Sequence, residues 1–258
     1  MVLAEKALLD NYNVLIELIK EHISSPRKEK LLALYEDYAE IIVLAPASGK
    51  EDYHNCFPGG YVEHVLRVVH LSIEMYKLWS QAGANINFTE EELLFSAINH
   101  DLGKVGMDKK SYYISNPSEW HRNNQGKIYV QNPTLDFMPI QDRSLFLLQQ
   151  YNVQYTTNEY LGIKLHDGMY DEANKAYYTA WSDDGKLKTN LPYILHQADM
   201  IASKVEYDRW KNSKISVKKE TKVYPGKSSS SNQMNTLSKN GKSGELFSKL
   251  FGEPKDIK

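Results

Sequence analysis

Apolar residues recur at intervals of three and four over most of the chain, the spacing of helices with one buried face. From Glu5 to Ile23 the apolar positions are Leu8, Leu9, Tyr12, Leu15, Ile16 and Ile19, and a second such segment runs from about Lys28 to Leu44, where Pro46 ends it. A third begins after Gly59-Gly60 and continues to about Trp79. Thr89 and Glu92 form a capping-box pattern ahead of Leu93, Leu94, Ala97 and Ile98, which predicts a fourth helix start. Asp142–Gln150, Asn158–His166 and Pro192–Trp210 supply three more. The pattern predicts an all-α body.

Two stretches depart from it. Between about Met107 and Pro139 the helical period disappears, and Ser118–Arg122 and Lys127–Gln131 flank Asn-Asn-Gln-Gly, which reads as a β-hairpin within a long loop excursion. After Trp210 the chain turns polar and Lys-rich with a run of four Ser, the composition of a flexible tether. Leu246, Phe247, Leu250 and Phe251 then return at helical spacing, as in a short docking peptide for a protein partner. The expected organisation is N-terminal helices over 1–44, a core domain over 45–210, a basic linker over 211–243 and a docking tip over 244–258.

Composition narrows the class. The 258 residues are 41% hydrophobic and 25% charged, within the range of globular domains rather than of collagen-like or disordered chains. The longest apolar run, Ile41–Ala47, is far short of a membrane span, and the first ten residues have no basic start before an apolar core, so neither a membrane role nor secretion is expected. A single cysteine, Cys56, rules out an internal disulfide and Cys-rich zinc modules and fits a cytoplasmic location. The net charge of −2 averages two unlike regions: residues 211–258 hold 11 Lys and 4 acidic residues, and residues 1–210 hold 20 basic and 29 acidic ones. An acidic body is unsuited to broad duplex binding, which relies on many basic contacts.

Several polar residues sit on otherwise apolar helices. His64 lies within Val62–Val69, His100-Asp101 ends an apolar helix ahead of Leu102-Gly103-Lys104, and His196, Asp199 and Ser203 share nearly one helix face. Singly, each has an ordinary explanation as a hydrogen-bonded core residue or a solvated one. An imidazole and a carboxylate side by side in an apolar setting need a charged partner, and a metal would satisfy His64, His100, Asp101 and Asp199 at once.

These residues resemble the HD superfamily of metal-dependent phosphohydrolases: His64, then His100-Asp101-Leu102-Gly103-Lys104, then Asp199, with Gly59-Gly60-x-x-Glu63-His64 ahead of them. The likeness covers roughly residues 45 to 210. Ala45-Pro46-Ala47-Ser48 and Tyr53-His54-Asn55 also look like the leading segment of HD-type 3′ to 5′ exoribonucleases and of the HD domains of some relaxases, and Leu165-His166-Asp167-Gly168 resembles a His-His-Gly of those exoribonucleases. The resemblance implies an HD-domain helical bundle and a hydrolase that cleaves phosphoesters of nucleotides or short single-stranded oligonucleotides with a metal-activated water. Its implied ligands are His64, His100, Asp101 and Asp199, a mixed nitrogen and oxygen set suited to Mn, Fe, Co, Ni or Zn. Asp167 stands where the exoribonucleases carry a second His, and Met138–Leu145 holds no Gly-His-Ile element, so one metal is expected rather than two.

Around these ligands, Asp101 is expected to orient the attacking water and Lys104 to meet a phosphate. Arg67 either neutralises a second phosphate or pairs with Glu63. His121 either enters the site as an acid for the leaving oxygen or is a loop residue, and His166 is expected in the site. His196 is as readily a hydrogen-bond partner behind a ligand as an ordinary helix residue. Trp120, Arg122 and Lys127, with rings such as Tyr112, Tyr113, Tyr129, Tyr170, Tyr177, Tyr178 and Trp181, are candidates for gripping bases and phosphates. Gly226-Lys227-Ser228 and Gly241-Lys242-Ser243 lack the earlier Gly of a P-loop, and no Gly-x-Ser-x-Gly elbow is present. The alternative to an enzyme is a non-catalytic HD module that binds a nucleotide or nucleic acid while its tail recruits a partner.

Overall fold

A computed structural model describes residues 3–220, with side chains through residue 214. The architecture is mainly α-helical, with two two-stranded sheets, and no helix among the described residues is long and apolar enough to cross a membrane. The docking tip and most of the tether lie outside the described residues. Contacts divide the chain into two compact units at Trp210, and both sheets and every described helix except the end of the last belong to the first unit.

Three helices open the chain: α1 (Glu5–His22), α2 (Arg27–Asp37) and α3 (Ala39–Leu44). The single segment expected over Lys28–Leu44 is divided at Tyr38, whose ring is buried and whose backbone (φ −106°, ψ 10°) leaves the helical region. Next come α4 (Gly60–Gln81) and α5 (Glu90–Asn99). The capping box expected at Thr89 and Glu92 is formed in both directions. Every residue of α5 from Leu93 to Asn99 is buried, because the helix is packed by α1, α4 and a later helix, α8 (Thr157–Leu165). Between α5 and α8 lies α7 (Ile140–Gln150), which packs on α8 and on the 3₁₀ turn Leu102–Val105 that follows α5. The last described helix, α10 (Leu191–Glu220), runs ten residues beyond Trp210, so the start of the expected tether is helical.

The excursion between α5 and α7 differs from expectation. β1 (Gly106–Met107) pairs with β2 (Lys110–Ser111) around Asp108 and Lys109, both with positive φ. β3 (Tyr113–Ser115) pairs antiparallel with β4 (Tyr129–Gln131), with Ile114 opposite Val130. The segment expected as the first strand of a hairpin is instead α6 (Glu119–Gln125). Its signals are helical ones: the Ser118 side chain accepts from His121 N–H, Glu119 occupies the first turn, and Gly126 closes the helix in the left-handed conformation. The small sheet and helix then seal against the segment before α4 through a Lys50–Lys127 bridge and a bond from Glu51 N to Gly126 O. A short helix, α9 (Lys175–Tyr178), sits between α8 and α10.

The turn after α5 is fixed by α7. Ser144 Oγ accepts from Gly103 N–H at 2.7 Å and lies 3.2 Å from His100 O. A Cβ on Gly103 would stand 2.2 Å from Ile140 O, a backbone atom that cannot step aside. Gly103→Ala is therefore expected to lower stability by about 1–3 kcal/mol in urea unfolding. Unchanged stability would mean that α7 is not held against this turn.

Candidate metal centre

Four helices and the segment before α4 contribute to one centre. His64 lies one turn into α4, Asp199 lies in α10, and α5 and α8 end in matching ways. Each begins with a complete capping box (Thr89 with Glu92, Thr156 with Glu159), each ends at a buried histidine, and each histidine is followed by aspartate: His100-Asp101 and His166-Asp167. Each Nδ1 also lies 2.8 Å from the carbonyl three residues back, Ala97 O for His100 and Ile163 O for His166. A carbonyl only accepts, so Nδ1 carries the proton and Nε2 presents a lone pair toward the centre. His64 follows the same rule with a carboxylate: its Nδ1 is 3.0 Å from Glu206 Oε2, and Glu206 is held below its ordinary pKa because, against burial, His64 and Arg67 favour its anion.

The imidazole Nε2 atoms face carboxylate oxygens. His64 Nε2 is 3.1 Å from Asp199 Oδ1 and 3.6 Å from Asp101 Oδ2, His100 Nε2 is 3.5 Å from Asp101 Oδ2, and His166 Nε2 is 3.6 Å from Asp101 Oδ1. The Nε2 atoms of His64 and His100 are buried with no hydrogen-bond partner. Lone pairs facing carboxylates across these distances repel unless a positive charge lies between them. Several sets of three donors, each within 4.8 Å of one another, fit a metal ion in that place: His64–His100–Asp199, His100–Asp101–His166, His54–His64–Asp101 and His166–Asp167–Asp199. Three of these sets reach beyond the four expected ligands, to His166, to His54, and to His166 with Asp167. Buried His and Asp groups that can hold a metal ion are thus a property of the structure.

The charges are balanced tightly around Asp101. Its carboxyl is buried, which alone would favour protonation, but Lys104, 2.6 Å away, and His100 hold it well below the usual carboxylate range. Asp199 is likewise lowered against burial, chiefly by His64, whose Nε2 lies 3.1 Å from Asp199 Oδ1. Lys104 is raised because Asp101 outweighs its burial, and its Nζ also lies 3.3 Å from His54 Nε2. His54, half-buried, is lowered to about 3 by its desolvation and by the neighbouring charges of Lys104 and His64.

The four expected ligands meet here with Lys104, His166, His196 and Tyr170, and other expected site residues do not. A cavity of about 220 Å³ is lined by Asp101, Lys104, His166, His196 and Asp199, among others. His196 donates from Nδ1 to His166 O at 2.8 Å, and its ring lies over Gly168, where a Cβ would stand 2.4 Å from it. Of the two expectations for Arg67, the pairing with Glu63 is the one formed and the phosphate role is not: it is buried on α4, with a terminal nitrogen 2.9 Å from Glu63 and Nε 2.9 Å from Glu206, behind His64 rather than in the cavity. His121, Trp120, Arg122 and Lys127 are also displaced from the expected site, because α6 docks on the segment before α4. Trp120 is 59% exposed, His121 is exposed, Arg122 donates to Asn116 O, and none of the four lines the cavity. Glu206, Lys204 and Met200 join the site without an expectation from the sequence. Glu206 lies seven residues after Asp199 and so returns to its helix face, the signal that would have found it. Comparison of the chain with protein-family models, curated proteins and solved structures finds no match.

The carboxylates of Glu206 and Asp199 overcome burial and raise His64 to about 10, and Asp167, Asp101 and Asp199 likewise raise His166 to about 9. Without metal, both imidazoles therefore carry an Nε2 proton near pH 8. Their contribution to the stability of the metal-free protein is complete below the ordinary value of 6.5 and is lost as pH rises through 9 to 10. Metal must displace these protons, so titrating metal-free protein with Zn²⁺ or Mn²⁺ in weakly buffered solution at pH 8 should release about one to two protons per chain, read with an indicator dye. Uptake without proton release would contradict this arrangement.

Proposed function

We propose that the chain is an HD-type metal-dependent phosphohydrolase acting on phosphoesters of nucleotides or short single-stranded oligonucleotides. The observation that carries this reading is the convergence of the partnerless Nε2 atoms of His64 and His100 on the carboxylates of Asp101 and Asp199. A divalent transition ion held by these groups would lower the pKa of a water and polarise a phosphoryl oxygen.

The chain's own groups supply the rest. Asp101, kept ionised by Lys104 and His100, orients a water by accepting from it and does not store its proton. Lys104 directs two of its three N–H bonds at Asp101 and His54 and has one left for a phosphate oxygen. His196, with Nδ1–H committed to His166 O, has Nε2 left to carry a proton to the leaving oxygen, the role that sequence alone suggests for His121. Glu206 fixes the His64 tautomer, and Arg67 fixes Glu206.

Purified protein supplied with Mn²⁺ is expected to turn over at least one member of a panel of dNTPs, nucleoside monophosphates, cyclic dinucleotides and short RNA and DNA. Asp101→Ala and His100→Ala should lose both metal, measured by elemental analysis, and turnover. Full metal in both variants would overturn the ligand assignment. A metal-loaded parent protein that turns over no substrate would leave the non-catalytic nucleotide-binding module in its place.

A further inference from the structure

A substrate that reaches the metal centre must also be held by groups the centre leaves unused. Most cations near it are committed. Lys104 is bound to Asp101 and His54 with its remaining N–H assigned to the phosphate at the centre, and Arg67 is bound to Glu206 and Glu63. Lys204 differs: it lines the cavity, is exposed, and among the described residues has no ion pair or side-chain hydrogen bond. It lies on α10 just past Asp199 and Ser203, in a body with 29 acidic and 20 basic residues, where an unpaired lysine at a cavity wall is an available anion contact.

Tyr170 lies at the same cavity. It sits in a 3₁₀ turn four residues after His166, its ring centroid is 5.9 Å from that of His196, and it is 78% exposed. The cavity, about 220 Å³, is smaller than the roughly 300–1,000 Å³ typical of pockets that enclose a whole ligand. A nucleotide whose phosphate and sugar sit at the centre would carry its base toward the rim, where an exposed ring supplies a stacking face. A mononucleotide specialist would enclose its base, whereas an open rim with a ring and a free cation suits a chain that continues past the cavity.

We propose that Lys204 and Tyr170 form a subsite for the nucleotide adjacent to the scissile phosphate of a single strand, Lys204 neutralising a backbone phosphate and Tyr170 stacking the base. The proposal rests on the phosphohydrolase reading and commits it to a strand over a free nucleotide.

Binding of a fluorescein-labelled hexanucleotide, and separately of a labelled mononucleotide, to the full metal-loaded chain tests it by anisotropy. All variants keep the 11 Lys of residues 211–258, so the background they contribute is common to every measurement. Tyr170→Ala is expected to weaken strand binding about tenfold or more, and Tyr170→Phe to preserve it. Lys204→Ala should reduce the slope of log affinity against log salt by about 0.7. Strand binding within twofold of the parent in Tyr170→Ala, with an unchanged salt slope in Lys204→Ala, would overturn the subsite. So would a mononucleotide that binds as tightly as the strand. Metal content is measured on the same samples, because loss of metal uptake or of turnover by the parent chain bears on the hydrolase reading, while intact metal with unaltered strand binding counts against the subsite alone.

Discussion

Everything in the centre depends on the difficulty of burying Asp101. A carboxylate removed from water is tolerable only when positive charge and hydrogen bonds replace its hydration, and Asp101, 3% exposed, faces His64, His100, His166 and Lys104. Lys104 alone would form an ordinary buried ion pair. The imidazoles make the arrangement unusual, because each has its Nδ1 committed elsewhere and brings only a lone pair or an extra proton to the carboxylate. A cation shared among these groups resolves the conflict without a separate proton on each ring. Glu206 behind His64 and the carbonyls behind His100 and His166 hold the rings in the orientation that makes sharing possible.

The scaffold serves that arrangement through repetition. α5 and α8 pack on each other, start with the same cap and end in the same His-Asp pair, so two similar helix ends deliver one carboxylate each to neighbouring positions. The turn beyond α5 is locked by Ser144 and by the closeness of Gly103 to α7, and the turn beyond α8 leaves room at Gly168 for His196. Negative charge concentrated in the body is consistent with this design: the nearby cations are spent on Asp101, Glu63 and Glu206, and Lys204 at the wall remains unspent.

The helices are legible in the sequence because periodicity and caps are local signals. Thr89 with Glu92 marks α5 to the residue, and the spacing from Leu8 to Ile19 defines α1. The gathering of His64, His100, Asp101 and Asp199 is legible as well, since polar residues on apolar faces need a common partner. α6 is not, because strand alternation and a seven-residue helix are hard to tell apart over so short a span, although Ser118 and Gly126 carry the helical signal. The choice between the two readings of Arg67 escapes for a different reason: helical spacing puts it within reach of Glu63 and on the face of His64, but its second carboxylate, Glu206, is 139 positions away in sequence. Such pairings are tertiary facts that one helix cannot announce.

The most direct measurement is X-ray absorption at the edge of a bound transition metal in the full chain. A mixed shell of oxygen and nitrogen ligands is expected, with the outer-shell scattering of at least two imidazoles, reduced by one imidazole in His64→Ala or His100→Ala that retains residual metal. An all-oxygen shell without imidazole scattering, or a spectrum indifferent to both substitutions, would contradict a metal held between these histidines and the carboxylates of Asp101 and Asp199.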